Sequence, residues 1–180
     1  QTETDLAGAR EALLALAGRD ATTLSADRVR SAAVESAAEN LSDGFVAPLG
    51  GFVIASVVGG RWLTPGATLA AATAAAAWIK AVNTMDSMVG YRRKPVGWAA
   101  ARVDDCIMWV PARLTAIAIS VAALSPDPLL VGRRWAREPA SPNAGWPMAT
   151  LSAALGVRLD KPGHYTLNPV ASLPTTTAGH

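Results

Sequence analysis

A single cysteine, Cys106, leaves this chain with neither a disulfide framework nor a thiolate metal centre. Its two histidines, His164 and His180, are each far from a second imidazole, which argues against a His-based zinc site within the chain. Phenylalanine and tyrosine number two each, and β-branched aromatic runs are scarce, so an extensive sheet is not expected. Charge is thin as well: 17% of residues are charged, where a soluble domain carries roughly a quarter. Basic residues cluster in "YRRK" (91 to 94) and "GRRWAR" (132 to 137), but the net charge is only +2 and no aromatic-interleaved basic stripe accompanies them. Nucleic acid is therefore not the expected partner. No phosphate-binding glycine loop, dinucleotide fingerprint, G-x-S-x-G elbow or H-E-x-x-H helix occurs, which disfavours the common soluble enzyme classes. The chain opens on "QTETD", without an initiator Met or a signal-peptide core, and is expected to be a fragment of a longer protein.

What the chain has is alanine. Hydrophobic residues make up 51% of its 180 positions, and the best helix former supplies much of that share. One mainly helical domain with a real core is expected over residues 1–167, with a disordered tail over 168–180. Residues 5 to 18 read as an amphipathic helix closed by Gly18. Ser25 is the N-cap of a second helix from about Ala26 to Leu41, which "SDG" (42 to 44) then breaks. Three apolar segments follow, 45–60, 66–82 and 106–124, each near the lower edge of the ~20 residues that span a bilayer. Arg113 and Pro111 lie inside the third, and an intramembrane arginine marks a functional or paired position. Hydropathy alone leaves two architectures open, a polytopic helical membrane protein and a soluble alanine-rich helical bundle. A short helix, "MATLSAALGV", precedes the tail.

Four polar clusters interrupt this background, each at the end of an apolar segment. In "AAVESAAENLSDGF" (32 to 45), Glu35, Glu39 and Asp43 recur every four residues, with Asn40 and Ser42 beside them. On an α-helix they would crowd like charges along one stripe, which calls for a cation, a basic side chain or a substrate. In "KAVNTMDSMVGY" (80 to 91), Lys80, Asn83 and Ser87 share a face with Asp86 nearby. In "GWAAARVDDCIMWVPARL" (97 to 114), Arg102, Asp105, Trp109 and Arg113 form a stripe of both signs. The fourth, "SPNAGWPMATLSAALGVRLDKPGHY" (141 to 165), holds Asn143, Trp146, Arg158, Lys161 and His164. Each has a bland alternative: a solvated ion pair for Arg102 with Asp105, snorkelling for Lys80, pairing with Arg28 or Arg30 for Glu35. Together they fit a surface for an anionic or amide-bearing ligand and a divalent cation.

At these clusters the sequence closely resembles the CobD/CbiB family of cobalamin biosynthesis, the adenosylcobinamide-phosphate synthases. The matching phrases are "ESAAENLSDGFVAPL", "KAVNTMDSMVGYR", "GWAAARVDD" with "VPARLTA", and "SPNAGWPMA…ALGVRLDKPGHY", in the family's order over about residues 6 to 167. The resemblance implies a multi-pass cell-membrane ligase of which this chain is the C-terminal part, the preceding membrane helices lying outside it. Such enzymes join adenosylcobyric acid to (R)-1-aminopropan-2-ol, or its O-phosphate, through an amide bond, using ATP and Mg²⁺. A carboxylate accepts an amine only after its oxygen becomes a better leaving group, which requires phosphate charge to be neutralised. On that basis Glu35, Glu39, Asp43, Lys80 and Asp86 are the candidate catalytic residues, and Glu39, Asp43 and Asp104 the candidate Mg²⁺ ligands. Lys80, Arg102 and Arg113 would face phosphate or the corrin carboxylate, and Asn40, Asn83 and Asn143 its peripheral amides. Ser42, Ser87, Asp105, Trp146 and His164 complete the candidate substrate-binding set. A non-catalytic membrane scaffold and a corrinoid-binding protein are the alternative functions, and a homo-oligomer is left open.

Overall fold

The computed structural model describes residues 3–17, 21–89 and 95–175. Gly18, the basic run at 91–94 and His180 lie outside them. Helix dominates, as the alanine content dictates. The order is α1 (Glu3–Ala17), α2 (Ala26–Asn40), a π turn (Leu41–Val46), α3 (Ala47–Gly59), α4 (Pro65–Val89), α5 (Pro95–Ile107), α6 (Trp109–Ala122), α7 (Asp127–Gly132) and α8 (Gly145–Leu155). A two-stranded antiparallel hairpin, β1 (Leu159–Lys161) with β2 (Tyr165–Leu167), follows α8.

"SDG" does not break the second helix. The backbone widens by one residue per turn, with the Ala47 N–H reaching the Ser42 carbonyl, and helical structure runs unbroken from Ala26 to Gly59. α5 and α6, by contrast, bend by 45° at Met108. Pro111 explains this: it has no N–H for the Ile107 carbonyl, and its ring crowds that oxygen.

The chain divides into two compact units. The first comprises residues 1–39 and 116–180, the second 40–115. In the first, Leu13, Ala21, Leu24, Val29 and Ala32 form one apolar cluster. Ala38, Met148, Ala149, Val157, Leu159 and Leu167 form another. Leu159 and Leu167 pair across the hairpin and are fully buried, a stabilisation of about 1.5–3 kcal/mol each. Gly156 takes φ 63°, the left-handed conformation that closes α8. Residues 168–175, read from sequence as the start of a disordered tail, bond back to the hairpin region, where the Arg158 N–H donates to the Ser172 carbonyl at 2.8 Å.

The second unit is built on the antiparallel pair α3 and α4, joined by a short turn at 60–64. Gly51 and Ala72 let the two approach closely, with the Ile79 side chain lying against Gly51. The outward faces stay apolar: Val53, Ile54, Val57, Val58, Trp62, Leu69 and Trp78 are exposed. Among the described residues one helix, Ala26–Gly59, is long and apolar enough to cross a membrane, and only 11% of its apolar window is buried. The bent pair α5–α6 passes the same length and composition test when taken together. α5 carries Arg102, Asp104 and Asp105 within four residues and is not read as a span.

Candidate functional site

The second unit gathers its polar side chains around Asn83, on the penultimate turn and a half of α4. Its side-chain amide donates to Asp43 Oδ2, in the π turn, at 3.1 Å and to Asp104 Oδ1, in α5, at 3.5 Å. Its Oδ1 accepts from Lys80 Nζ at 3.2 Å. One cation on the oxygen and two carboxylates on the nitrogen fix which way the amide points. Asn83 and Asp104 are each 8% exposed. Burial first, then the charges of Asp86 and Asp43, raise Asp104 to about 6, against the lowering effect of the Asn83 hydrogen bond. Lys80, Asp43, Asp86 and Asp104 thus meet in one cluster, drawn from three helical segments. Ser87 supports it from behind, donating to the Asn83 backbone carbonyl at 3.0 Å. Ser42 is buried in the π turn, and its hydroxyl has no hydrogen-bond partner among the described residues.

Arg102 and Asp105 pair at 3.6 Å on the surface of α5, with Arg102 more than half exposed, the solvated arrangement weighed for them from sequence. The stripe expected to join them to Trp109 and Arg113 is divided at the Met108 bend. Beyond it Arg113 donates to the Trp109 carbonyl at 2.7 Å and lies 4.2 Å from the Trp109 ring centroid. Asn40 is exposed at the end of α2.

In the first unit Glu35 is 6% exposed and bonded on both oxygens: Ser31 Oγ donates to Oε1 at 3.2 Å and Tyr165 Oη to Oε2 at 3.0 Å. Ser31 Oγ in turn accepts the Asp160 N–H at 2.9 Å, and Arg28 pairs with Asp160 at 3.4 Å. Glu35 therefore ties α2 to the hairpin. Glu39, one turn on, is exposed and lines a cavity of about 320 Å³ with Glu138, Ser141, Met148, Lys161, His164 and Tyr165. The π turn breaks the α-helical period that put Asp43 on the stripe of Glu35 and Glu39, and Asp43 instead faces Asn83. Asn143 is buried in the turn before α8, its N–H on Ser141 Oγ at 3.2 Å and its carbonyl accepting from the half-buried Trp146.

The profile of the CobD/Cbib protein family matches residues 1–179. This chain belongs to the CobD/Cbib family. A cobalamin biosynthesis protein CobD from Rhodobacter capsulatus is 42% identical over 165 residues, covering 89% of this chain and 48% of the relative. Another from Dehalococcoides mccartyi is 44% identical over 170 residues, 91% of this chain and 50% of the relative. A probable cobalamin biosynthesis protein CobD from Methanothrix thermoacetophila is 41% identical over 168 residues, 91% and 50%. The chain thus spans about half the length of these curated relatives. No solved structure matches it.

Within this member of the CobD/Cbib family, the expected residues fall into two groups. Lys80, Asn83, Asp43, Asp86 and Asp104 stand together in the second unit, while Glu39 and His164 share the cavity of the first. Mg²⁺ suits the donor chemistry of the second unit. Two carboxylates held by one amide, with a third raising their mutual repulsion, offer oxygen ligands and a reason to take up a cation. No three acidic, His or Cys side chains among the described residues are already disposed around one ion position. Mg²⁺ commonly uses one or two carboxylates with phosphates and waters, and Asp43 and Asp104 are the carboxylates that would serve it. Glu138 and Tyr165 were not among the expected residues. Pro162–Gly163 between Lys161 and His164 is a turn signal that reveals the hairpin and Tyr165 with it. Glu138 sits in an irregular loop and leaves no pattern to read.

Proposed function

We propose that this chain carries part of the active site of a cobalamin-biosynthesis ligase. The reaction forms the amide between adenosylcobyric acid and (R)-1-aminopropan-2-ol or its O-phosphate, with ATP. Family membership supports the pathway, and the Asn83 cluster supports the chemistry. Activating a carboxylate requires a place where phosphate charge is neutralised. Asp43 and Asp104 would hold Mg²⁺, which supplies that positive charge when bound, and Lys80 adds a fixed cation beside it. Asn83 holds all three in register. Amide formation then joins the amine nitrogen to the activated carboxyl carbon, breaks the carboxyl C–O bond to phosphate, and passes the ammonium proton to a carboxylate.

The exposed apolar faces of α3 and α4 support a membrane location, with the α2–α3 helix as a span and the α3–α4 pair entering lipid. The experiment is a membrane preparation of the intact protein incubated with the corrinoid acid, the amino alcohol phosphate and ATP–Mg²⁺. Mass spectrometry should report the new amide. Asn83→Ala should reduce its formation about a hundredfold or more, the size of effect seen when one preorganised electrostatic group is lost. Wild-type membranes that bind the corrinoid yet form no amide would leave only a scaffold or corrinoid-binding role.

A further inference from the structure

The first unit also carries a surface with no part in the chemistry above, where α6 gives way to α7 and the arginine run at 132–137 follows. α6 closes with the Ser125 N–H on the Ser120 carbonyl and the Leu124 N–H on the Val121 carbonyl. In that kind of helix ending glycine usually takes the left-handed position. Leu124 stands there instead, at φ 53°, and is 93% exposed. In water it is unfavourable twice over, in its backbone and in its bare side chain. Val170, 91% exposed, stands nearby: Ala123, Ser125 and Asn168, each within two positions of one of them in the chain, line one cavity of about 280 Å³. α7, six residues or about 9 Å of helix, lies between Leu124 and the arginines and leaves Leu130 half exposed. Arg133, Arg134 and Arg137 are all exposed, and none makes a side-chain hydrogen bond or ion pair among the described residues. Asp127 and Glu138 flank the run without pairing to it. Trp135, inside it, packs on the core around Met148 and holds the turn in place.

A free anion would meet the arginines and leave Leu124 and Val170 bare. A neutral bilayer would cover the apolar tips and leave three cations without counter-charge. A bilayer with anionic headgroups answers both, with acyl chains at one depth and phosphates at the next. We propose that this face of the first unit rests on the membrane surface and selects anionic lipid. Leu124 and Val170 enter the acyl boundary, and Arg133, Arg134 and Arg137 hold the phosphates of lipids with the chemistry of phosphatidylglycerol. The inference rests on the membrane location proposed above and adds to it a choice of leaflet and headgroup.

The test uses the intact protein in detergent, with binding of phosphatidylglycerol and phosphatidylcholine followed by native mass spectrometry. Phosphatidylglycerol should bind about tenfold or more tightly, and the preference should shrink as salt is raised to about 0.5 M. Arg133→Gln, Arg134→Gln and Arg137→Gln combined should erase it, at about fivefold per arginine. Lysine at all three positions should keep it, which guards against a folding defect. In bilayers, a fluorophore attached at Leu124→Cys in a Cys106→Ser background should be quenched by bromine on the acyl chains and shielded from aqueous iodide. Unchanged phosphatidylglycerol binding by the triple Gln variant would overturn the proposal. So would displacement of the lipid by inorganic phosphate, or a label at 124 that iodide reaches and bromine does not, which would leave this face to a protein partner. Slower amide formation by the triple Gln variant in pure phosphatidylcholine would also overturn it, since the arginines would then serve the substrates. Failure of the membrane-span reading looks different: the protein leaves phosphatidylcholine membranes in buffer yet keeps its arginine-dependent binding of phosphatidylglycerol.

Discussion

Asn83 is one neutral side chain on which three charges depend. Its replacement by Ala would strand Asp43 and Asp104 without their shared donor and Lys80 without its acceptor, at a cost of about 1–3 kcal/mol in stability. Urea or thermal denaturation of the intact protein in detergent should record that loss. Asp104 predicts a pH dependence of definite sign. Its pKa in the fold, about 6, lies above the ordinary 3.8, so the folded state holds a proton that the unfolded state has released. Its contribution is full below about pH 4 and is lost as pH rises through 6. In EDTA, Asp104→Asn should abolish this falling limb and raise stability at pH 8 by about 1–3 kcal/mol, while amide formation drops. An unchanged pH profile in that variant would show that Asp104, raised by burial first and by the neighbouring acids second, is not the titrating group.

At the scale of elements, the departures from periodic expectation occur where a single residue changes the backbone. The π turn at 41–46 keeps α2 continuous with α3 and turns Asp43 toward Asn83. Pro111 bends α5 against α6, so a stripe drawn on an ideal helix becomes two local pairs. α7 meets α8 at Gly132, where an added Cβ would stand 2.8 Å from the Thr150 nitrogen and 2.9 Å from the Ala149 carbonyl. Both neighbours are backbone and cannot step aside. Gly132→Ala should therefore destabilise the protein by about 1–3 kcal/mol, read as a lower melting temperature. Ser31, Glu35 and Tyr165 join α2 to the hairpin in the same economical way, through one buried carboxylate with two donors.

At the scale of the molecule, the exposed apolar surface bears on the two architectures that hydropathy left open. Ile54 and Val57 on α3 are each about two-thirds exposed, and no charge relieves that face. Ile54→Lys with Val57→Lys should leave the fold intact in detergent yet release the protein from membranes into buffer. Each lysine costs about 2.5–3.5 kcal/mol at the centre of a spanning helix. Retention of the double variant in the membrane fraction would place this face against protein instead of lipid.

Helical content, the apolar segments, family membership and the residue types of both polar groups were legible in the sequence, because alanine content, hydropathy and phrase order are local properties of the chain. Which acids meet was not legible. Spacing put Glu35, Glu39 and Asp43 together, yet Glu35 is spent on Ser31 and Tyr165, Glu39 lines a cavity with Glu138 and Lys161, and Asp43 shares Asn83 with Asp104. Those partners lie between 40 and 130 residues away along the chain in the cases of Asp43 with Asn83 and Glu35 with Tyr165. Helix periodicity reaches only the neighbouring turns, so contacts at such separation are decided by how the helices and the hairpin pack, and, for Asp43, by the one extra residue in the π turn that takes it off the stripe.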